Sequence, residues 1–347
     1  MSREQLTKHS WPETVVAWLE DALDGFAPPF LFSLVPAGGS NLTYIVTDSK
    51  QQRFVVRRPP LRARLVTAHD MHREHRIMTA LQSSSVPVPS MLAYCDDRRI
   101  ADADFYCMEM IEGRVIRDRH STADLSSADC VKATESLITA QVAFHTLDLD
   151  AIGLSDLARH DGYLERQLKR WLRQVNTAAS RDVPAFARLH DALESTMPVC
   201  SIRPGLAHGD YRFDNTVLND DLTMAAVLDW ELCTIGDPVA DFIWSLNYWA
   251  EPGEALTWLQ DPPTAQLSFP GRQFLIDRYE ELSGINVRED LAWYQAFSWW
   301  KQACIVEGVY ARLLKGAAGG MKVTAPEMVA QRVDDYLLQA QTFADSI

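Results

Sequence analysis

The chain of 347 residues carries 33 lysines and arginines against 47 aspartates and glutamates, a net charge of −14 at pH 7. Such a balance, with no long basic block, is unsuited to neutralising nucleic-acid phosphates, so no nucleic-acid partner is expected. With 47% hydrophobic residues the chain reads as globular, and its length exceeds the roughly 100–200 residues of one typical domain.

In chain order, "MSREQLTKHSWPETVVAW" has charges and a proline where a signal peptide needs an apolar run. No segment approaches the roughly 18 uninterrupted apolar residues of a membrane span, so a soluble, cytoplasmic protein without a membrane partner is expected. Residues 11–24 predict an amphipathic helix burying Val15, Val16, Trp18, Leu19 and Leu23. "FLFSLVPAGGSNLTYIVTDSKQQRFVVRRPP" holds three β-favouring runs divided by the turn segments "AGGSN" and "DSKQQ". The period becomes helical over residues 67–81, and "VPVPSMLAYC" and "DFYCMEMI" read as two further strands. This gives β-β-β-α-β-β, an antiparallel sheet with one helix.

From there the pattern is mainly helical, starting with a long helix over residues 126–147 and broken at "DVP", "MPVCSIRPG" and "DPP". One strand-like island interrupts it, "GLAHGDYRFDNTVLNDDLTMAAVLDWE". The division between a mixed first part and a helical second part is expected near residues 110–113. The six cysteines (Cys95, Cys107, Cys130, Cys200, Cys233 and Cys304) show no metal-like spacing and read as reduced thiols.

The island concentrates polar groups. "TVLN" and "AAVLD", joined by the "DDLT" turn, predict a hairpin that brings Asn215 and Asp229 together at one end, with Asp210 beside them. One amide and one carboxylate suit Mg²⁺, which takes few protein ligands, and leave Asp210 to accept a proton. Taken singly, such Asp and Asn residues are usually turn formers and strand-end caps. Likewise Gly38–Gly39 alone is a hairpin turn, and Glu74 alone is a solvated helix residue. His69, His72 and His75 recur on adjacent helical turns, but without further N or S ligands they do not make a structural zinc site.

"LAHGDYRFDN" followed by "AVLDWELCTIGDPVADFIW" resembles the signature of the aminoglycoside phosphotransferase-like branch of the protein-kinase fold. The resemblance is to the subgroup found beside, or fused to, acyl-CoA dehydrogenases. "FVVRRPP", "FYCMEMIEGRVI" and "EGVYARLLKG" extend it over residues 30–315. It implies an α+β, bilobal kinase-like fold: a small antiparallel-sheet N-lobe at residues 1–111 and a larger, mainly helical C-lobe at 112–347. It also implies ATP as co-substrate and Mg²⁺ as cofactor. By resemblance, Asp210 is the catalytic base, and Arg212 neutralises charge on the transferred phosphoryl group. Asn215 and Asp229 hold Mg²⁺. Gly38, Gly39, Ser40 and Asn41 cover the phosphates, Glu74 pairs with the third-strand cation, and Glu109, Met110 and Ile111 form the adenine hinge. His208 and Asp241 hold the loop's shape.

One departure from the general kinase pattern is Arg57, where most kinases carry lysine; the bidentate guanidinium is not equivalent to an ammonium. The implied acceptor is a small-molecule hydroxyl. A hydroxyacyl-CoA is one choice, with Arg57, Arg58, Arg62, Arg64, Arg114, Arg117 and Arg119 as candidate phosphate-binding residues. An aminoglycoside or amino alcohol is another, and a non-catalytic pseudokinase is the rival from a different class. The acceptor pocket is expected within residues 150–205 and 245–300. Oligomeric state, monomer or homodimer, is left open.

Overall fold

The computed structural model describes residues 11–35, 41–60, 70–159, 161–178, 180–199, 202–316 and 325–347. The first elements are α1 (Glu13–Ala22), β1 (Leu31–Leu34), β2 (Leu42–Thr47), β3 (Arg53–Arg58), α2 (Met71–Leu81), β4 (Met91–Cys95) and β5 (Phe105–Glu109). After them come α3 (Ser127–His145), α4 (Tyr163–Ala178), α5 (Ala185–Ser195), β6 (Gly205–Ala207), β7 (Thr216–Leu218), β8 (Met224–Val227) and β9 (Thr234–Gly236). The chain closes with α6 (Pro238–Leu246), α7 (Arg272–Ser283), α8 (Leu291–Leu314) and α9 (Pro326–Ala344).

The residues form two compact units. One comprises Met1–Val115, Asp150–Leu154 and Asn215–Cys233; the other comprises Ile116–Leu149, Ser155–Asp214 and Thr234–Ile347. In the first, five strands pair antiparallel in the order β1-β2-β3-β5-β4, and the predicted β-β-β-α-β-β succession is present. Alternation decides the faces: Tyr44, Val46, Phe54, Val56 and Cys107 join Val15, Leu19 and Leu23 of α1 in one core. Each large side chain fully buried there contributes roughly 1.5–3 kcal/mol. Of the helix positions predicted as buried, Val16 and Trp18 are only half-buried.

The fourth strand is shorter than "VPVPSMLAYC" suggests, because Pro87 and Pro89 cannot donate to a ladder. Pro87 instead accepts, its carbonyl taking the Val227 amide at 2.8 Å. The β7–β8 hairpin is thereby joined to the sheet's unit. Arg114 adds to this, exchanging amide bonds with Leu218 at 2.7 and 2.9 Å.

The second unit is helical around one two-stranded pair, β6 with β9. The side chain of Ser126 accepts from the Asp129 amide while the Asp129 carboxylate accepts from the Ser126 amide, capping α3 where the sequence predicts a helix start. Asp237, followed by Pro238, caps α6 with its carboxylate alone, accepting from the Val239 and Ala240 amides at 2.8 and 3.1 Å. Trp293 and Trp300 of α8 donate their indole N–H groups to Leu193 and Phe186 carbonyls, tying α8 to the segment of α5. Of the ten tryptophans, eight are buried and Trp18 and Trp171 are half-buried, as packing residues should be.

Candidate functional site

In the first unit, alternation along β3 points Arg58 over the Trp11 ring, 5.3 Å from its centroid, and gives Arg57 the opposite face. There Arg57 donates to Glu74 Oε1 at 2.8 Å, to Asp229 Oδ1 at 2.5 Å and to Glu231 Oε2 at 3.3 Å. Glu231 Oε2 also accepts from Asn41 Nδ2 at 2.9 Å. Four predicted residues, Asn41, Arg57, Glu74 and Asp229, are therefore brought together. Glu231 is a fifth that sequence reasoning missed; its only signal was its place in "LDWE".

Burial pushes the Glu74 carboxyl up to about 7, with Arg57 pulling against the rise and the Asp229 and Glu231 charges adding to it. Burial also disfavours the Arg57 charge, but Glu74 and Asp229 outweigh it and hold the guanidinium above its usual range. The hairpin register pairs Thr216 with Val227, and the Leu228 amide donates to the Asn215 carbonyl at 2.8 Å. Asn215 and Asp229 thus flank one end of the hairpin, the arrangement their spacing predicts. Asp229 adopts φ 64° and ψ 58°, a left-handed conformation that aspartate tolerates better than most residues.

One guanidinium facing three carboxylates leaves local negative charge in excess. With an amide and a carboxylate at the hairpin end, these hard oxygen donors fit a divalent cation such as Mg²⁺. Gly38, Gly39 and Ser40 lie outside the described residues. After β5, Met110 and Ile111 are half-buried. The Glu109 amide donates to the Ser90 carbonyl at 2.8 Å, and its carboxylate accepts from the Ser90 hydroxyl at 2.7 Å.

In the second unit, β6 delivers the loop that carries Asp210. Asp241 Oδ1 accepts from the Gly209 amide at 2.8 Å, and its Oδ2 accepts from the His208 amide at 3.0 Å. That same Oδ2 lies 3.1 Å from His145 Nε2, and His145 Nδ1 meets the Tyr279 hydroxyl at 2.7 Å. Burial opposes ionisation of Asp241, yet the His145 hydrogen bond, the His145 and His208 rings and the Gly209 amide hold it below its usual value. His208 Nδ1 accepts from the Asp210 amide at 3.3 Å. His208 and Asp241 therefore occupy the loop-shaping positions expected of them.

The Asp210 carboxylate accepts from the Tyr248 hydroxyl at 2.6 Å and stands 3.4 Å from Arg212 Nε. Arg212 also pairs with Asp214 at 3.0 Å and lies 5.1 Å over the Tyr248 ring. Burial, then the Asp210 charge, raise the Tyr248 phenol well above its ordinary range, so it stays a donor. Tyr248 was not foreseen. It lies 38 positions from Asp210 in no motif, and nothing in the local sequence marks it.

A cavity of about 30 Å³, room for a water, adjoins Arg117, Arg212, Asp214, Ser245, Tyr248 and Thr264. A larger one of about 490 Å³, bordered by Arg203, Asn286, Asp290 and Tyr294, includes none of the predicted site residues.

Other sequence signals resolve into packing. His72 and His75 flank the Tyr94 ring at 5.7 and 5.0 Å, while His69 lies outside the described residues. Among the described residues no group of three His, Cys, Asp or Glu side chains is placed to hold a metal ion. The described cysteines are free and buried; Cys200 lies outside them. Of the arginines offered for phosphate, Arg57 is anchored by Glu74 and Asp229, Arg58 pairs with Asp102 at 2.6 Å and Arg119 with Asp261 at 2.6 Å. Arg62 and Arg64 lie outside the described residues. No described helix is long and apolar enough to cross a membrane.

The antiparallel sheet and separate helical part are those of a kinase-like phosphotransferase fold. A solved Ralstonia eutropha protein described as an aminoglycoside phosphotransferase matches with TM-score 0.81 and 30% identity over 96% of this chain and 98% of that one. Aminoglycoside phosphotransferase APH(4)-Ia, solved with ADP and hygromycin B, shares the fold at TM-score 0.60 and 14% identity, over 94% and 98% of the two chains. The chain belongs to the phosphotransferase enzyme family, whose model matches residues 32–282. Human acyl-CoA dehydrogenase family member 11 is 31% identical over 320 residues, 90% of this chain and 41% of the relative's length. The chain thus spans well under half of that curated relative.

Proposed function

We propose that the chain transfers the γ-phosphoryl group of ATP to a hydroxyl of a small molecule, with Mg²⁺ held by Asn215 and Asp229. The observation that carries this reading is Arg57 joined to both Glu74 and Asp229 in the sheet unit. A cation so anchored suits nucleotide phosphates, for which Gly38, Gly39, Ser40 and Asn41 supply the covering loop and Glu109, Met110 and Ile111 the adenine contacts. When bound, Mg²⁺ supplies neutralising charge to the phosphates. Asp210, oriented by Tyr248, takes the acceptor's hydroxyl proton. The acceptor oxygen forms its bond to phosphorus as the bond to ADP breaks, and Arg212 offsets the charge that develops.

For the acceptor, we place a hydroxyacyl-CoA thioester first, supported by the acyl-CoA substrate class in the human relative's name. Aminoglycosides and amino alcohols stand behind it. A pseudokinase is disfavoured because the base, the amide and carboxylate ligands and the Arg57–Glu74 pair are all present. The test is Mg²⁺-dependent ATP consumption over an acceptor panel, in wild type and Asp210→Ala. The variant is expected to lose at least about 100-fold in kcat, the scale of general-base catalysis, while retaining ATP binding. ATP binding with no transfer to any acceptor of the panel by wild type would favour the pseudokinase instead.

A further inference from the structure

The cavity of about 490 Å³ is bordered by residues of the helical unit and, among the described residues, reaches neither Asp210 nor Tyr248. Its size falls in the range of small-molecule sites, roughly 300–1,000 Å³. His145, Val239 and Tyr294 on its border are buried and Pro204 is half-buried.

Those four residues belong to the frame of the Asp210 loop. His145 Nε2 lies 3.1 Å from Asp241 Oδ2, and Asp241 accepts from the His208 and Gly209 amides. The Val239 amide and the Tyr294 hydroxyl donate to Asp237 at 2.8 and 2.7 Å, fixing the first turn of α6, which carries Asp241. Pro204 immediately precedes β6, and β6 packs so closely on the end of α3 that a Cβ on Gly205 would stand 2.2 Å from the His145 carbonyl oxygen. A molecule filling the cavity therefore bears on the ends of α3, β6 and α6 together, the three elements that set the loop.

The polar groups of the cavity select the class of occupant. The side chains of Asn286, Glu289 and Asp290 border it and make no hydrogen bond or ion pair among the described residues. Asp290 holds the N-cap position of α8, where an aspartate ordinarily accepts from a first-turn amide, yet its side chain caps nothing. Arg203, the cation on the border, is paired with Asp148 at 3.1 Å. Negative charge is left over beside the apolar side chains of Leu147, Ile202 and Ile285. An amine on an apolar body matches both features, whereas a carboxylate would meet like charge.

We propose that this cavity is a regulatory site for an organic cation, an alkyl- or arylammonium compound, whose binding holds the Asp210 loop in its clasped form. The ammonium faces Glu289 and Asp290, and the apolar body lies against Leu147, Ile202 and Ile285. An occupant that favours the arrangement with Asp237 and Asp241 both engaged stabilises that arrangement by linkage. The effect on turnover rests on the phosphotransferase reading; the binding does not.

The test titrates the full chain with 4-phenylbutylamine, neutral 4-phenylbutanamide and 4-phenylbutanoate, which share one apolar body and carry no hydroxyl to be phosphorylated. Calorimetry on wild type is expected to place the amine at least about tenfold above the amide and the carboxylate last, the scale of one charge-assisted hydrogen bond. The double variant Glu289→Gln, Asp290→Asn should erase that ranking, and Ile285→Trp, which fills the cavity, should weaken all three. The amine should slow amide exchange at 205–210 and 237–241 by about fivefold or more, the lower end of allosteric coupling, and change kcat for an acceptor that turns over. Equal binding of the three probes, or an amine preference unchanged in the folded double variant, overturns the site. Should the double variant not fold, Glu289→Gln alone, at its exposed position, must lower the preference, and an unchanged preference there overturns the site equally. Amine binding that leaves exchange at 205–210 untouched overturns the regulatory role. Failure of the phosphotransferase reading has a different signature: no transfer to any acceptor, with amine binding and loop protection persisting in support of the site.

Discussion

At the scale of single residues, one guanidinium faces the carboxylates of Glu74, Asp229 and Glu231, and Glu74 relieves the imbalance by holding its proton longer than an exposed glutamate would. Its folded value is about 7, raised from 4.5 by burial before any other cause. Between these values the folded chain keeps a proton that the unfolded chain has released. The associated stability is therefore present below about pH 4.5 and lost as pH rises through about 7. Glu74→Gln is permanently neutral and escapes that loss. Its stability relative to wild type should rise by on the order of 2 kcal/mol between pH 5 and pH 8, at roughly 1.4 kcal/mol per pKa unit. Urea unfolding at the two pH values reads this directly, and a constant difference would mean Glu74 is ionised throughout. The sequence announced Glu74 only through its register with Arg57. It could not announce Tyr248, because a hydroxyl brought 38 positions to Asp210 depends on how α6 ends, and no local pattern encodes that.

At the scale of elements, long periodic segments were legible and three-residue ones were not. The sheet strands, α2 and α3 follow from alternation, helical spacing and the Ser126–Asp129 cap. The β7–β8 hairpin follows from its turn. By contrast β9 is too short to show a period, and its pairing with β6 depends on backbone bonds between residues about thirty positions apart. That pair carries weight, because β6 leads directly into the loop clasped by Asp241. Gly205 begins β6, and a Cβ there would stand 2.2 Å from the His145 carbonyl oxygen, a backbone atom that cannot swing aside. Gly205→Ala is expected to cost at least about 2 kcal/mol, in the range of overpacked cores, and to lower kcat by loosening the Asp210 loop. An unchanged denaturation midpoint would show that α3 and β6 separate more easily than their packing implies.

At the scale of the whole molecule, the proposed labour is divided between the two compact units. The sheet unit, with Arg57, Glu74, Asn215 and Asp229, is assigned the nucleotide and metal; the helical unit, with Asp210 and Tyr248, is assigned the acceptor. The segment Asn215–Cys233 falls with the sheet through backbone bonds to Pro87 and Arg114, so proximity along the chain to Asp210 is no guide to its grouping. This division makes the ligand footprints separable. Magnesium ATP at about 100 times its Kd should stabilise the folded chain by roughly 2.7 kcal/mol. It should slow amide exchange chiefly in 53–58, 71–81 and 215–231, and EDTA should erase most of that protection, since Asn215 and Asp229 are assigned to the metal. An acceptor that turns over should instead protect 208–214 and 244–249, around Asp210 and Tyr248, with or without nucleotide. Exchange measured by mass spectrometry on the full chain distinguishes the cases. Protection by magnesium ATP centred on 244–304 would reverse the assignment of the units. EDTA-insensitive protection of 215–231 would remove Asn215 and Asp229 as metal ligands while leaving Arg57 as the phosphate contact.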